Sequence, residues 1–242
     1  MRLILKVLVL GASGATGKLV VMELIKRQIN IRVVVREGAI LSVEILDNPL
    51  VEIERRNIAE FNESEMISLL QDCNAIVSCL GHNTTIRGIF GKPRNLVFDA
   101  IRNISEIVKE KAGEKVKLIL MSTTGYTNTI TGEKNALEER IILSVLKLLL
   151  PPHRDNVKAA NYLHEEIGKD NEKIEWIAVR PDTLVNEDNK SAYEVYESPV
   201  RSPVFNAGTT SRINVSHFMA DLLINERLWR EWQFKMPVVY NK

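Results

Sequence analysis

The chain has 242 residues, 45% of them hydrophobic and 26% charged, which suits a soluble globular protein of one well-buried α/β domain or two small ones. Its 32 Lys and Arg nearly cancel 31 Asp and Glu, for a formal net charge of +1, so no nucleic-acid or membrane-surface partner is expected. The two cysteines, Cys73 and Cys79, are too few for a disulfide scaffold and lack metal-ligand spacing. The histidines His82, His164 and His217 are likewise scattered, and no metal site is expected.

A first strand is predicted near Leu3–Leu10. Lys6 interrupts its apolar run and a glycine turn follows where a leader peptide would have its cleavage site, so a buried strand explains the segment better. No apolar stretch reaches the roughly 18 residues of a membrane span, and a cytoplasmic protein is expected. Gly11-Ala-Ser-Gly14-Ala-Thr-Gly17 then opens a helix over Thr16–Arg27. Early glycines at such a junction permit a tight turn and a close approach of backbone to a pyrophosphate. The last lets helix and strand pack together, with free amides at the helix start facing the phosphates. Lys18 after Gly17 suggests a P-loop, but Ala12 and Leu19 stand where that motif requires a glycine and a hydroxyl.

The second strand, Ile31–Val35, ends at Arg36-Glu37. Folds that prefer NAD carry an acidic residue here for the ribose hydroxyls. A guanidinium suits the 2′-phosphate of NADP(H), to which Ser13 would add a hydroxyl. Glu37, turned inward, would favour NAD(H), so NADP(H) is the expected cofactor and NAD(H) the lesser alternative. A third strand covers Val51–Glu54, and a helix over Glu63–Gln71 starts at the pair Asn62 and Glu65. A fourth strand at Ala75–Leu80 runs into a loop, Gly81 to Arg94, rich in Gly, Thr and basic residues.

Helices at Asn95–Lys111, Ala136–Leu149 and Asn156–Ile167 bracket a fifth strand, Lys117–Met121, and a sixth at Ile174–Val179 follows them. Pro151 and Pro152 are expected to stop the Ala136–Leu149 helix. Ile141–Leu150 is apolar nearly all round except for Lys147, which suits burial against a sheet first and a subunit interface or lid second. A second irregular stretch, Asn186 to Arg212, leads to a helix at Val215–Ile224 and a short strand near Pro237–Tyr240. Strand–helix alternation of this kind predicts an α/β Rossmann fold, a doubly wound parallel sheet spanning 1–242 as a single domain. Residues 182–242 would supply substrate-side loops and a helix, because open α/β sheets build ligand sites at strand carboxyl ends.

Taken together these motifs resemble the short-chain dehydrogenases/reductases. The Gly-x-x-Gly-x-x-Gly spacing is that of their extended and atypical branches. Asn74-Ala-Ile-Val-Ser-Cys-Leu-Gly81 is similar to their fourth strand and Leu118-Ile-Leu-Met-Ser122-Thr-Thr-Gly125 to their fifth. Lys158-Ala-Ala-Asn-Tyr-Leu resembles the Lys-bearing helix, Trp176-Ile-Ala-Val-Arg180-Pro181 the Arg-Pro-Gly strand end, and Ser211-Arg212-Ile-Asn-Val the late segment before a C-terminal helix. Atypical NmrA-like and NAD(P)H-binding (flavin or biliverdin reductase-like) proteins are the nearest in pattern.

The resemblance implies that Gly11, Ser13, Gly14, Ala15, Thr16 and Gly17 hold pyrophosphate and ribose, and Arg36 the 2′-phosphate. Asn57 and Ile58 would flank the adenine, and Cys79, Leu80 and Gly81 the nicotinamide ribose. Ser122, Lys158 and Pro181 would lie near the nicotinamide. Catalytic members carry Tyr-x-x-x-Lys, with the phenol as general acid. Counting back from Lys158 gives Arg154, whose guanidinium cannot donate a proton at neutral pH. His153, Tyr126 and Tyr162 are the candidate substitutes; alternatively the proton comes from solvent, as with a flavin or quinone acceptor. Two functions follow. One is hydride transfer from NADPH to a small-molecule acceptor. The other is a non-catalytic, NmrA-like redox sensor that binds NADP(H) and a protein partner. A homodimer is compatible with either.

Overall fold

Strand β1, Lys6–Leu10, shows how the sequence builds the sheet: Val7 and Val9 join the hydrophobic cluster on one face, Leu8 and Leu10 the cluster on the other. Successive side chains of a strand point to opposite faces, so an unbroken apolar run demands cover on both sides. The computed structural model describes residues 5–82, 91, 93–110, 115–128, 131–133, 136–149 and 151–242. Among these, β2 (Asn30–Val35), β3 (Val51–Arg55), β4 (Ala75–Ser78), β5 (Val116–Met121) and β6 (Ile174–Pro181) lie parallel to their neighbours, in the order β3-β2-β1-β4-β5-β6. β10 (Val238–Asn241) extends the sheet parallel to β6, and β8 (Tyr193–Tyr196) closes it antiparallel, for eight strands in all.

Helices cover both faces. On one lie α1 (Gly17–Lys26), α7 (Arg212–Ile224) and α8 (Glu226–Trp232), burying Val20, Leu24, Phe218 and Trp229. On the other lie α3 (Glu63–Leu70), α4 (Leu96–Glu110) and α6 (Pro151–Tyr162). In α4 the buried Val97, Ala100, Ile101, Ile104 and Val108 recur every three or four residues, the spacing that puts them on one face. α3 begins with the expected reciprocal cap between Asn62 and Glu65. A short α2 (Val43–Leu46) and α5 (Leu137–Leu149) are the remaining α-helices among the described residues.

Three features differ from expectation. α6 begins at Pro151, not Asn156, because proline lacks only an amide that a helix's first turn leaves unused. The irregular 186–212 stretch contains β8 and, with β7 (Thr183–Val185), a parallel pair to β9 (Thr209–Ser211), too short to show a period. The loop after β4 lies mostly outside the described residues, as do Leu3, Lys111, Arg87 and Lys92. On α5, Leu137, Ile141 and Val145 are exposed while Leu143 is buried. No helix among the described residues is long and apolar enough to cross a membrane.

Candidate active site

β1 ends at Gly11, and the chain turns there in a left-handed conformation, φ +76°, with Gly14 N donating to Gly11 O at 2.9 Å. The turn is pressed onto β4: a Cβ at Gly11 would lie 2.5 Å from the Cys79 carbonyl oxygen. It is equally tight against α1, where a Cβ at Gly17 would lie 2.1 Å from Gly11 O. The first turn of α1 contains no acidic residue, so nothing competes for the positive end of its dipole.

Around this turn lies a cleft of about 560 Å³ along the carboxyl edge of the sheet. In sheet order its walls come from Asn57 and Ile58 after β3, Val34 to Arg36 at the end of β2, Gly11 and Ser13 to Thr16 after β1, and Cys79 to His82 after β4. Met121 at the end of β5, Leu184 and Arg212 complete the far side, with Pro93 and Leu96. The cleft therefore straddles β1 and β4, where the strand order reverses, the place at which open α/β sheets bind ligands.

Charge in the cleft is carried by three arginines with different obligations. Arg56 donates to Glu65 Oε1 at 2.6 Å and Glu60 O at 2.9 Å. Arg212 donates to Asn186 Oδ1 at 3.0 Å and reaches Leu184 O at 3.3 Å. Arg36 is exposed and paired with nothing among the described residues, so its fork is free for an anion.

The family model described as NAD(P)H-binding matches residues 11–226, from the glycine turn to the start of α8. The chain belongs to the NAD(P)H-binding family. No curated protein matches it in sequence. Among solved structures, a putative NADH-flavin reductase from Streptococcus pneumoniae superposes with a TM-score of 0.68 at 16% identity, covering 98% of this chain and 100% of that one. A short-chain dehydrogenase/reductase from Veillonella parvula in complex with NADP gives 0.68 at 17%, covering 98% and 94%. An anaerobillin reductase from Escherichia coli O157:H7 gives 0.67 at 15%, covering 98% and 97%.

The residues present fit the family's dinucleotide: the turn that borders the cleft at the start of α1 is built of glycines and small residues, and Gly14 has only Gly11 O near the position of a Cβ, at 3.1 Å. Three of the expected residues have local obligations of their own. Gly17 is buried under the turn. Asn57 uses its side chain locally, accepting from Ala59 N at 3.2 Å and donating to Glu60 Oε1 at 3.1 Å. Cys79 lines the cleft but is mostly buried, and burial pushes its thiol up to about 12.

Ser122 is buried beside the cleft-lining Met121, and its hydroxyl has no hydrogen-bond partner among the described residues. Lys158 does not line the cleft; its ammonium lies 3.3 Å from Asn95 Oδ1 and 5.7 Å from the Phe98 ring centre. Pro181 is buried at the end of β6, its carbonyl accepting from Thr124 N at 3.3 Å.

The substitutes for the missing phenol are also located. Tyr126 is buried, and desolvation, followed by the charge of Glu165, pushes its hydroxyl up to about 12. Tyr162 donates to Glu106 Oε1 at 2.6 Å and packs edge-on against Phe98, 5.9 Å between ring centres; burial first, then Glu106, raises it further. His153 lies in the first turn of α6 against the loop after β5, close enough that a Cβ at Gly125 would sit 2.7 Å from its Cε1. Arg154 is exposed.

Two cleft features escaped the sequence reading. One is the basic rim formed by Arg56 and Arg212. The other is His82, whose Nε2 lies 2.8 Å from Asp155 Oδ2. Asp155 precedes Lys158 by three residues and so shares its helix face. That spacing, read from the Lys landmark, is the signal that could have drawn attention to it.

Proposed function

We propose that the chain is an NADP(H)-dependent oxidoreductase that passes hydride to a small acceptor such as a flavin or quinone-like ring. The observation that carries this reading is the cleft itself. It joins an arginine with no partner among the described residues at the β2 end, a glycine turn in the middle and the carboxyl ends of β4 and β5 at the other side. Arg36 would take the 2′-phosphate, with Ser13 beside it. The amides of the turn and of α1 would take the pyrophosphate. Cys79 and Leu80 would border the nicotinamide ribose, and Met121 and Leu184 would keep water from the reacting ring. Bound there, the reduced nicotinamide supplies a hydride. The protein aligns the acceptor against it and excludes solvent. The flavin and anaerobillin reductases and the NADP complex among the similar structures support this choice of reaction and cofactor.

Arg154 in place of tyrosine favours a second reading, a redox sensor that binds NADP(H) without turning it over. Titration with NADPH, followed by assays against flavin, quinone and carbonyl acceptors, separates the two. Turnover is expected; stoichiometric binding without NADPH oxidation would establish the sensor. For the cofactor, Arg36→Ala should lower the preference for NADPH over NADH by about 10- to 100-fold, the worth of one charge-assisted contact. An unchanged affinity ratio removes the 2′-phosphate assignment.

A further inference from the structure

Beyond Gly81 the cleft holds a polar pair that no element of the proposed function has used. His82 lines it with a side chain only 4% exposed, its Nε2 lying 2.8 Å from Asp155 Oδ2. Asp155 is fully buried on α6, and both of its oxygens accept amides from the start of α4: Val97 N at 2.8 Å and Phe98 N at 2.9 Å. A carboxylate in that position only accepts, so the ring nitrogen facing it carries the hydrogen. The tautomer is thereby assigned: Nε2–H is committed to Asp155, and Nδ1 is the nitrogen left to a ligand.

We propose, on the basis of the oxidoreductase reading, that His82 is the general acid of this cleft and that the acceptor is a carbonyl or quinone-type compound, whose oxygen must gain a proton. The rival donors are worse placed. Tyr126 is buried with its hydroxyl pushed up to about 12. The Tyr162 hydroxyl is spent on Glu106, and His153 packs on Gly125; neither lines the cleft. His82 alone of these four combines a place in the wall with a ring held from behind, the arrangement by which a buried carboxylate orients an imidazole.

The acceptor carbon takes the hydride from the reduced nicotinamide while the C=O π pair moves onto oxygen. That oxygen takes the proton from Nδ1 of the doubly protonated ring, the Nδ1–H bond breaking as the O–H bond forms. Asp155 stays on Nε2–H throughout, and a solvent proton then restores the ring. A flavin can leave as the reduced anion without a protein acid, so the pair would have no task if a flavin were the acceptor.

The test compares the wild-type chain with His82→Ala, using NADPH with 9,10-phenanthrenequinone and, separately, with FMN. Quinone turnover should fall by about 100-fold, the lower end of what a positioned acid contributes, and recover in part with added imidazole. NADPH affinity, followed by nucleotide fluorescence, should fall far less than the quinone rate. Nitrogen-15 NMR of the wild-type protein gives a readout independent of turnover: the His82 signals, identified by their loss in His82→Ala, should be those of an Nε2-protonated ring at a pH where it is neutral. A variant that keeps half the quinone rate overturns the proposal, as does an Nδ1-protonated ring. Wild-type turnover of FMN but not quinone overturns it while leaving the oxidoreductase reading intact. No turnover of either acceptor overturns both.

Discussion

A methyl group at position 17 is enough to test how closely this site is built. Its carbon would lie 2.1 Å from Gly11 O and 3.1 Å from Ala12 Cα, both backbone atoms that cannot rotate away. Gly17→Ala must therefore lift α1 off the turn. It should cost about 1–3 kcal/mol of stability, as overpacking does, and displace the amides proposed to take the pyrophosphate. A lowered melting temperature with NADPH affinity reduced more than tenfold is expected; an unchanged nucleotide titration would show that the turn tolerates the shift. Gly11 is constrained in a second way, since φ +76° is costly for any residue with a Cβ. Arg180 is the opposite case, a residue fixed by how much it holds. Fully buried, it donates to both Glu133 oxygens at 2.7 and 2.9 Å and to the carbonyls of Met236, Tyr126 and Glu197. Arg180→Leu leaves Glu133 and three carbonyls without that partner. By the usual cost of breaking a buried pair, unfolding should become easier by about 3–5 kcal/mol, as measured by chemical denaturation.

Among the elements, α1 and α7 are joined by a charged staple. Arg27, just past α1, donates to Glu23 on α1 and at 2.6 Å to Asp221 on α7, while Lys26 donates to Glu23 at 2.7 Å. Burial alone would raise the Glu23 carboxyl, but the hydrogen bonds from Lys26 and Arg27 outweigh it and hold the group below the usual carboxylate range. A folded carboxyl lower than its unfolded counterpart stabilises the protein above the unfolded value, and that contribution disappears as pH falls through the folded one. Glu23→Gln should therefore flatten the acid side of the stability–pH curve, seen as a smaller change in melting temperature between neutral pH and pH 3. The elements also show what was legible in advance. The glycine turn, the six parallel strands and most helices announce themselves because their signals are local: a period, a cap, an apolar run. The start of α4 does not, because its amides are capped by Asp155 from α6, more than fifty residues away. His82 and Asp155 are separated by 73 positions and meet only because α4 and α6 pack on the same face. Lys158 was readable as a family landmark, yet its ammonium turns to Asn95 through that same packing.

At the scale of the molecule, the sheet has a division of labour. Strands β1 to β5 carry most of the cleft, whereas β6, β8 and β10, with the β7–β9 pair, build the side toward Leu184 and Arg212. β10 follows every other described strand in the sequence, yet it lies between β6 and β8 and pairs with both. On a ribosome that adds about 5–20 residues per second, a chain that has just completed β6 waits several seconds for the strand that completes this side. During that interval β8 has no neighbour to pair with, and the Met236 carbonyl that receives the Arg180 side chain has yet to be made. The half that carries the glycine turn waits as well, since α7, which brings Phe218 to the α1 face and Asp221 to Arg27, is made after β6. A nascent chain is therefore expected to close both sides of the sheet together, only once the residues from α7 to β10 have left the ribosome.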